Sequence, residues 1–142
     1  MCIRDSRFTR DGRLVTSWGA PGKGEGQFHL PHSIAFDDDG KLYVADRANQ
    51  RIQIFSPEGH FLGMWTGMGG PNDISRGKDG NFYIAEQEDQ GKPAQICVRD
   101  AKGAVLARFP SRHVHGVGVD SRGDIYAGLT TERSVDKFVR QA

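Results

Sequence analysis

The sequence predicts an all-β chain that forms part of a β-propeller. Three observations carry that prediction. The chain repeats itself: Gly40, Gly80 and Gly123 hold one place in three similar units, 40 and 43 residues apart. A period of this length, with short strands and turns inside it, is the pattern of propeller blades. Each unit also opens on a similar strand and continues to a second strand centred on tyrosine. The openings are Pro31-His32-Ser33-Ile34-Ala35-Phe36, Pro71-Asn72-Asp73-Ile74 and Val114-His115-Gly116-Val117. The continuations are Leu42-Tyr43-Val44-Ala45-Asp46, Phe82-Tyr83-Ile84-Ala85-Glu86 and Ile125-Tyr126-Ala127. Finally, nineteen glycines and a hydrophobic share of 37% suit thin sheets with many tight turns better than a thick helical core.

The elements follow in order. Residues 1–6 fit no repeat position and resemble the translated sequencing-adapter scars that head some metagenomic fragments; they are expected to lie outside any sheet. They also lack the apolar core of a signal peptide. Residues 7–27 fit only the second half of the repeat, with Phe8 matching Phe55, Asp11-Gly12 matching Glu58-Gly59, and Trp18 matching Trp65. Residues 28–70 form a full blade, with strands at 33–36, 41–45, 51–55 and 61–65. Alternation and β-branched or aromatic residues mark these strands, and Asp37-Asp38-Asp39-Gly40 and Ser56-Pro57-Glu58-Gly59 mark the turns between them. Residues 71–112 repeat this order, with strands at 96–99 and 105–109 closing the blade. Residues 113–142 supply three strands of a further blade, the last at 135–139. No helix is expected. The Gly-rich stretch from Ala20 to Gln27 reads as a connection between blades, because it lacks the strand–loop–helix setting of a phosphate cradle.

At about 40 residues per blade, the chain holds about three and a half units, against the four to eight of a closed propeller. It is therefore expected to be a C-terminal piece whose missing N-terminal blades belong to the same chain. The net charge of +1 argues against a nucleic-acid surface. No apolar run is long enough to span a membrane. Cys2 and Cys97 form no CxxC pair and leave the compartment open.

Equivalent positions on successive innermost strands converge on a propeller's central channel. His32, Asn72 and His115 share one such position, so the two histidines are expected to face a common axis. Taken alone, the pair fits either a metal site or a polar channel lining. His29 and His60 have no partner in register and read as surface residues. His113, two residues before His115, reads as an exposed loop histidine. Asp46, Asn49 and Arg51 read as scaffold.

The pattern from Phe28 through Pro31, Ile34-Ala35 and Asp39-Gly40 to Asp46, Asn49 and Arg51-Ile52 resembles the NHL repeat. Two segments, Gly26-Gln27-Phe28-His29-Leu30-Pro31-His32-Ser33 and Val44-Ala45-Asp46-Arg47-Ala48-Asn49-Gln50-Arg51, look more particularly like peptidyl-α-hydroxyglycine α-amidating lyase and its bacterial relatives. The segment His115-Gly116-Val117-Gly118-Val119-Asp120 looks like that family's last blade. The resemblance implies a six-bladed propeller with a zinc ion in its channel, bound by three histidines. His32 and His115 would be two of them, and the third would lie upstream of Phe8. Val114 departs from the Pro-His pair that precedes His32. Arg47 falls where the family places an arginine against the substrate, with a salt bridge to Asp46 or a solvated loop charge as the bland alternatives. The family's structural calcium has less footing, since Gly116 stands where the animal enzymes carry an acidic residue. The implied reaction splits a peptide-like α-hydroxyglycine into an amide and glyoxylate, with a tyrosine base on a blade this chain lacks. The rival reading is a non-catalytic NHL platform for protein interaction. A calcium-dependent lactonase-type site has only Asn72 in its favour.

Overall fold

The computed structural model describes residues 5–141. Among them the chain is all-β, with one helical element, a single 3-10 turn at Arg47–Asn49. Strands β1 (Asp5–Phe8) and β2 (Leu14–Trp18) form an antiparallel pair. Two short segments, β3 (Ala20–Pro21) and β4 (Gln27–Phe28), pair in parallel. The first full blade is β5 (Pro31–Phe36), β6 (Leu42–Asp46), β7 (Arg51–Phe55) and β8 (Phe61–Trp65), hydrogen-bonded in that order. The second repeats it as β9 (Gly70–Arg76), β10 (Phe82–Gln87), β11 (Gln95–Arg99) and β12 (Val105–Pro110). The third holds β13 (Val114–Val119), β14 (Ile125–Leu129) and β15 (Ser134–Phe138). The molecule is a partial β-propeller, and the two strands at 51–55 and 61–65 match the sequence reading residue for residue.

Two expectations are corrected. Asp5 and Ser6 were expected outside any sheet, but they pair with Trp18 and Ser17. Strand pairing is made by backbone groups, and the free edge of β2 offers them whatever side chains stand opposite. Residues 1–4 lie outside the described residues. The connection 20–27 contains the parallel β3–β4 pair, and Arg51 holds it by donating to the carbonyls of Lys23, Gly24 and Gln27, each at 2.8 Å.

Blades stack face to face because β6 and β10 are buried along nearly their whole length. Tyr43, Trp65 and Phe82 meet between the first two blades, with ring centres 4.2 Å apart for Tyr43 and Phe82 and 5.3 Å for Trp65 and Phe82. A recurring device locks each blade to the one before. At Gly103, φ is +90° and an added Cβ would run into the Trp65 ring; at Gly59, φ is +92° and an added Cβ would stand 3.0 Å from Trp18. Only glycine combines that backbone angle with that closeness of a ring. The outer faces of the array stay apolar and exposed, with Ile34 52%, Phe36 56% and Val135 67% accessible.

Innermost strands β5, β9 and β13 lie side by side, with β9 in the middle. Asp73 fastens all three. Its Oδ1 accepts from Ser33 Oγ on β5 at 2.5 Å, and its Oδ2 accepts from the backbone N–H of Val117 on β13 at 2.9 Å. This arrangement sets the spacing of the nearby side chains His32 and Asn72, one position before Ser33 and Asp73, and His115, two before Val117.

Candidate functional site in the channel wall

His32 is the second residue of β5 and His115 the second of β13, so strand alternation points both the same way. Their ring centres stand 4.9 Å apart, edge to face at 72°, although 83 positions separate them in the chain. Both are exposed. Asn72 lies between their strands and supports both. Its carbonyl oxygen is 2.7 Å from His32 Nδ1, and its side-chain amide donates to the carbonyl of Val114 at 2.9 Å. A carbonyl can only accept, so His32 donates from Nδ1, and in its neutral form the lone pair lies on Nε2. That tautomer is the one a metal-ligating histidine needs, with its second nitrogen fixed by a backbone acceptor.

With Zn–N distances of about 2.0–2.1 Å and tetrahedral angles, two coordinated imidazoles place their ring centres about 5 Å apart. The observed separation fits. Among the described residues, no three His, Cys, Asp or Glu side chains converge on one point. The pair could therefore supply two ligands to an ion and no more from the described residues.

Arg47 follows β6 at the start of the 3-10 turn and is half-buried. Its guanidinium does not pair with Asp46. Nη2 instead donates to Gln87 Oε1 at 2.5 Å, and Gln87 holds the position equivalent to Arg47 in the next blade. Asp46 is fully buried and engaged elsewhere: it accepts from Arg51 Nε and Asn49 Nδ2, each at 2.8 Å, and from the N–H of His29 at 2.7 Å. Asp46, Asn49 and Arg51 are therefore scaffold in this structure. Glu86 does the same for the second blade, accepting from the Gly69 N–H and Gln95 Nε2. His60 makes no contact with the pair, and His113, exposed at the head of β13, reaches Glu132 Oε1 at 2.9 Å. The link from His113 to Glu132 spans 19 positions and shows no repeat signal. Asp73 and Gln87 were likewise not singled out from sequence. Both stand at aligned repeat positions, which is the signal that points to them.

Residues 28–55 match the NHL repeat family. That segment is an NHL repeat. The chain is 34% identical over 85 residues to NHL repeat-containing protein 3 of Homo sapiens, across 57% of this chain and 24% of that protein. It is 40% identical over 157 aligned positions to peptidyl-glycine alpha-amidating monooxygenase B of Xenopus laevis, across 95% of this chain and 18% of that protein. The chain thus spans less than a quarter of either relative's length. Among solved structures, the WD40 beta propeller domain of Doa1 superimposes with a TM-score of 0.71 at 16% identity, over 91% of this chain and 41% of that one. That likeness speaks to the fold alone.

Proposed function

We propose that this chain carries two of the metal ligands of a zinc-dependent lyase acting on peptidyl-α-hydroxyglycine-like substrates. One observation carries the reading: His32 and His115 stand at the separation of two ligands of one tetrahedral ion, with His32 held in the ligating tautomer. The likeness over 95% of the chain to an amidating monooxygenase supports it. Three imidazoles with an open fourth position make a catalytic zinc centre, and this pair would supply two of the three.

In the proposed reaction the C–N bond of a carbinolamide breaks. The hydroxyl loses its proton as the carbonyl of glyoxylate forms, and the departing nitrogen gains one to become the amide. Zinc, when bound, would supply positive charge that eases loss of the hydroxyl proton, and His32 and His115 would hold it. Arg47 binds the substrate carboxylate, for which its planar fork is suited. Gln87 engages Nη2, which leaves the remaining N–H groups of the fork for a carboxylate.

The test uses the longest natural chain that contains these residues, with metal analysis and measurement of glyoxylate released from an N-acyl-α-hydroxyglycine. His32→Ala and His115→Ala are each expected to lose zinc and glyoxylate release, and His60→Ala to lose neither. Arg47→Ala should keep the zinc and raise KM. Full zinc occupancy after both histidines are replaced would refute the reading. An NHL interaction platform would then stand in its place.

A further inference from the structure

Beside the histidine pair, between the second and third blades, lies a cleft of about 520 Å³. Asn72, Gln87, Glu88, Asp89, His113 and His115 are among the residues that line it. Its chemistry is one-sided. Glu88 and Asp89 bring two carboxylates, and neither has an ion-pair partner among the described residues. The nearby donors are engaged. Lys92 Nζ is spent on the carbonyl of Met68 at 2.7 Å and His113 on Glu132. An independent feature points the same way. Asn72 is 97% buried (3% exposed), and its Oδ1 has no hydrogen-bond partner. A buried acceptor left unpaired is costly, so it marks a place where a donor belongs.

We propose that this cleft binds a cationic side chain of the ligand, a guanidinium or primary ammonium group. Glu88, Asp89 and Asn72 all line the cleft, so two carboxylates and a side chain with an unpartnered amide oxygen stand around one cavity. Its volume suits an organic side chain, being many times that of a single ion with its ligands. Asp89 is fixed for this role. Its N–H donates to the Lys92 carbonyl at 3.1 Å and its C=O accepts from the Lys92 N–H at 2.9 Å, which closes a tight turn and restricts where the carboxylate can reach. Because the cleft adjoins His115, the inference deepens the lyase reading by naming a basic residue in the substrate. It rests on that reading only for the ligand being peptide-like.

The test is made on zinc-free protein in chelator, so that failure of the metal site and failure of the cleft are told apart. Nα-acetyl-arginine amide and Nα-acetyl-citrulline amide, of nearly the same shape, are titrated separately at pH 8 and low salt, with binding followed by backbone amide NMR. The arginine probe should bind at least about tenfold more tightly, as expected for charge-assisted hydrogen bonds. It should move the amides of Gln90, Gly91 and Thr130. Glu88→Gln with Asp89→Asn should erase the preference, and the unperturbed remainder of the spectrum checks that the variant is folded. Equal binding of the two probes would overturn the proposal. A preference that survives the double substitution, or shifts confined to another face, would overturn it too.

Discussion

Removing the Asp73 carboxylate should loosen the channel wall more than the loss of any surface charge. Asp73 links the first blade to the second through Ser33 Oγ at 2.5 Å and the second to the third through the Val117 N–H at 2.9 Å. Hydrogen bonds to a charged group contribute about 1.5–3 kcal/mol each. Asp73 is half-buried, so competition from water discounts the pair to about 2–4 kcal/mol for Asp73→Ala. With a urea slope of about 1.5 kcal/mol per molar, the unfolding midpoint should fall by about 1–3 M. Asp73→Asn keeps one acceptor oxygen and should lose roughly half as much. The assay is urea unfolding followed by tryptophan fluorescence, with Trp18 and Trp65 as reporters. A double-mutant cycle with Ser33→Ala isolates the first link. Additive effects in that cycle, together with a loss below about 0.5 kcal/mol for Asp73→Ala, would refute the idea that this carboxylate joins the blades.

Arg51 is 6% exposed and pairs with the fully buried Asp46, so Arg51→Met should destabilise by about 3–5 kcal/mol by stranding that carboxylate; equilibrium unfolding measures it, and a change under about 1 kcal/mol would contradict it. Alkaline stability should depend on two tyrosines. Burial, then the Asp37 carboxylate, pushes Tyr43 up to about 12, and burial, then the hydrogen bond to Asp79, pushes Tyr83 up to about 12. An unfolded phenol titrates near about 10. Above that pH the unfolded chain sheds protons that the folded chain keeps, so this stabilisation, complete below about pH 10, is lost as pH rises to about 12. Tyr43→Phe with Tyr83→Phe should flatten the decline in urea midpoint over that window, and an unchanged slope would contradict it.

Much of the fold was legible in the sequence because each strand carries its own signal. Leu42–Asp46 is a run of β-branched and aromatic residues behind an Asp-rich turn, and Arg51–Phe55 alternates up to Ser56-Pro57. The β3–β4 pair was not legible, since two residues per strand give no periodicity. Asp5 and Ser6 join a sheet through backbone groups alone, which no side-chain pattern announces. At the site, the nearness of His32 to His115 followed from register, because equivalent positions of neighbouring blades must meet at the axis. The Arg47 contact did not. Its partner was sought in Asp46, one residue away, whereas the second blade presents Gln87 to it across the interface. Asp46 was already committed to Arg51 and Asn49, a competition visible only once the chain is folded. The same holds for Asn72, whose orphaned oxygen depends on how β9 sits between β5 and β13.

The central claim is that His32 and His115 act together on one ion. Long-range ¹H–¹⁵N NMR of the histidine side chains, recorded while zinc is titrated into the protein, tests it most directly. The Nε2 resonances of His32 and His115 should shift together at one zinc equivalent, His32 Nδ1 should keep its proton, and His29 and His60 should stay where they are. Separate titration of the two rings, or zinc-induced shifts at His29 or His60 with none at the pair, would contradict the account.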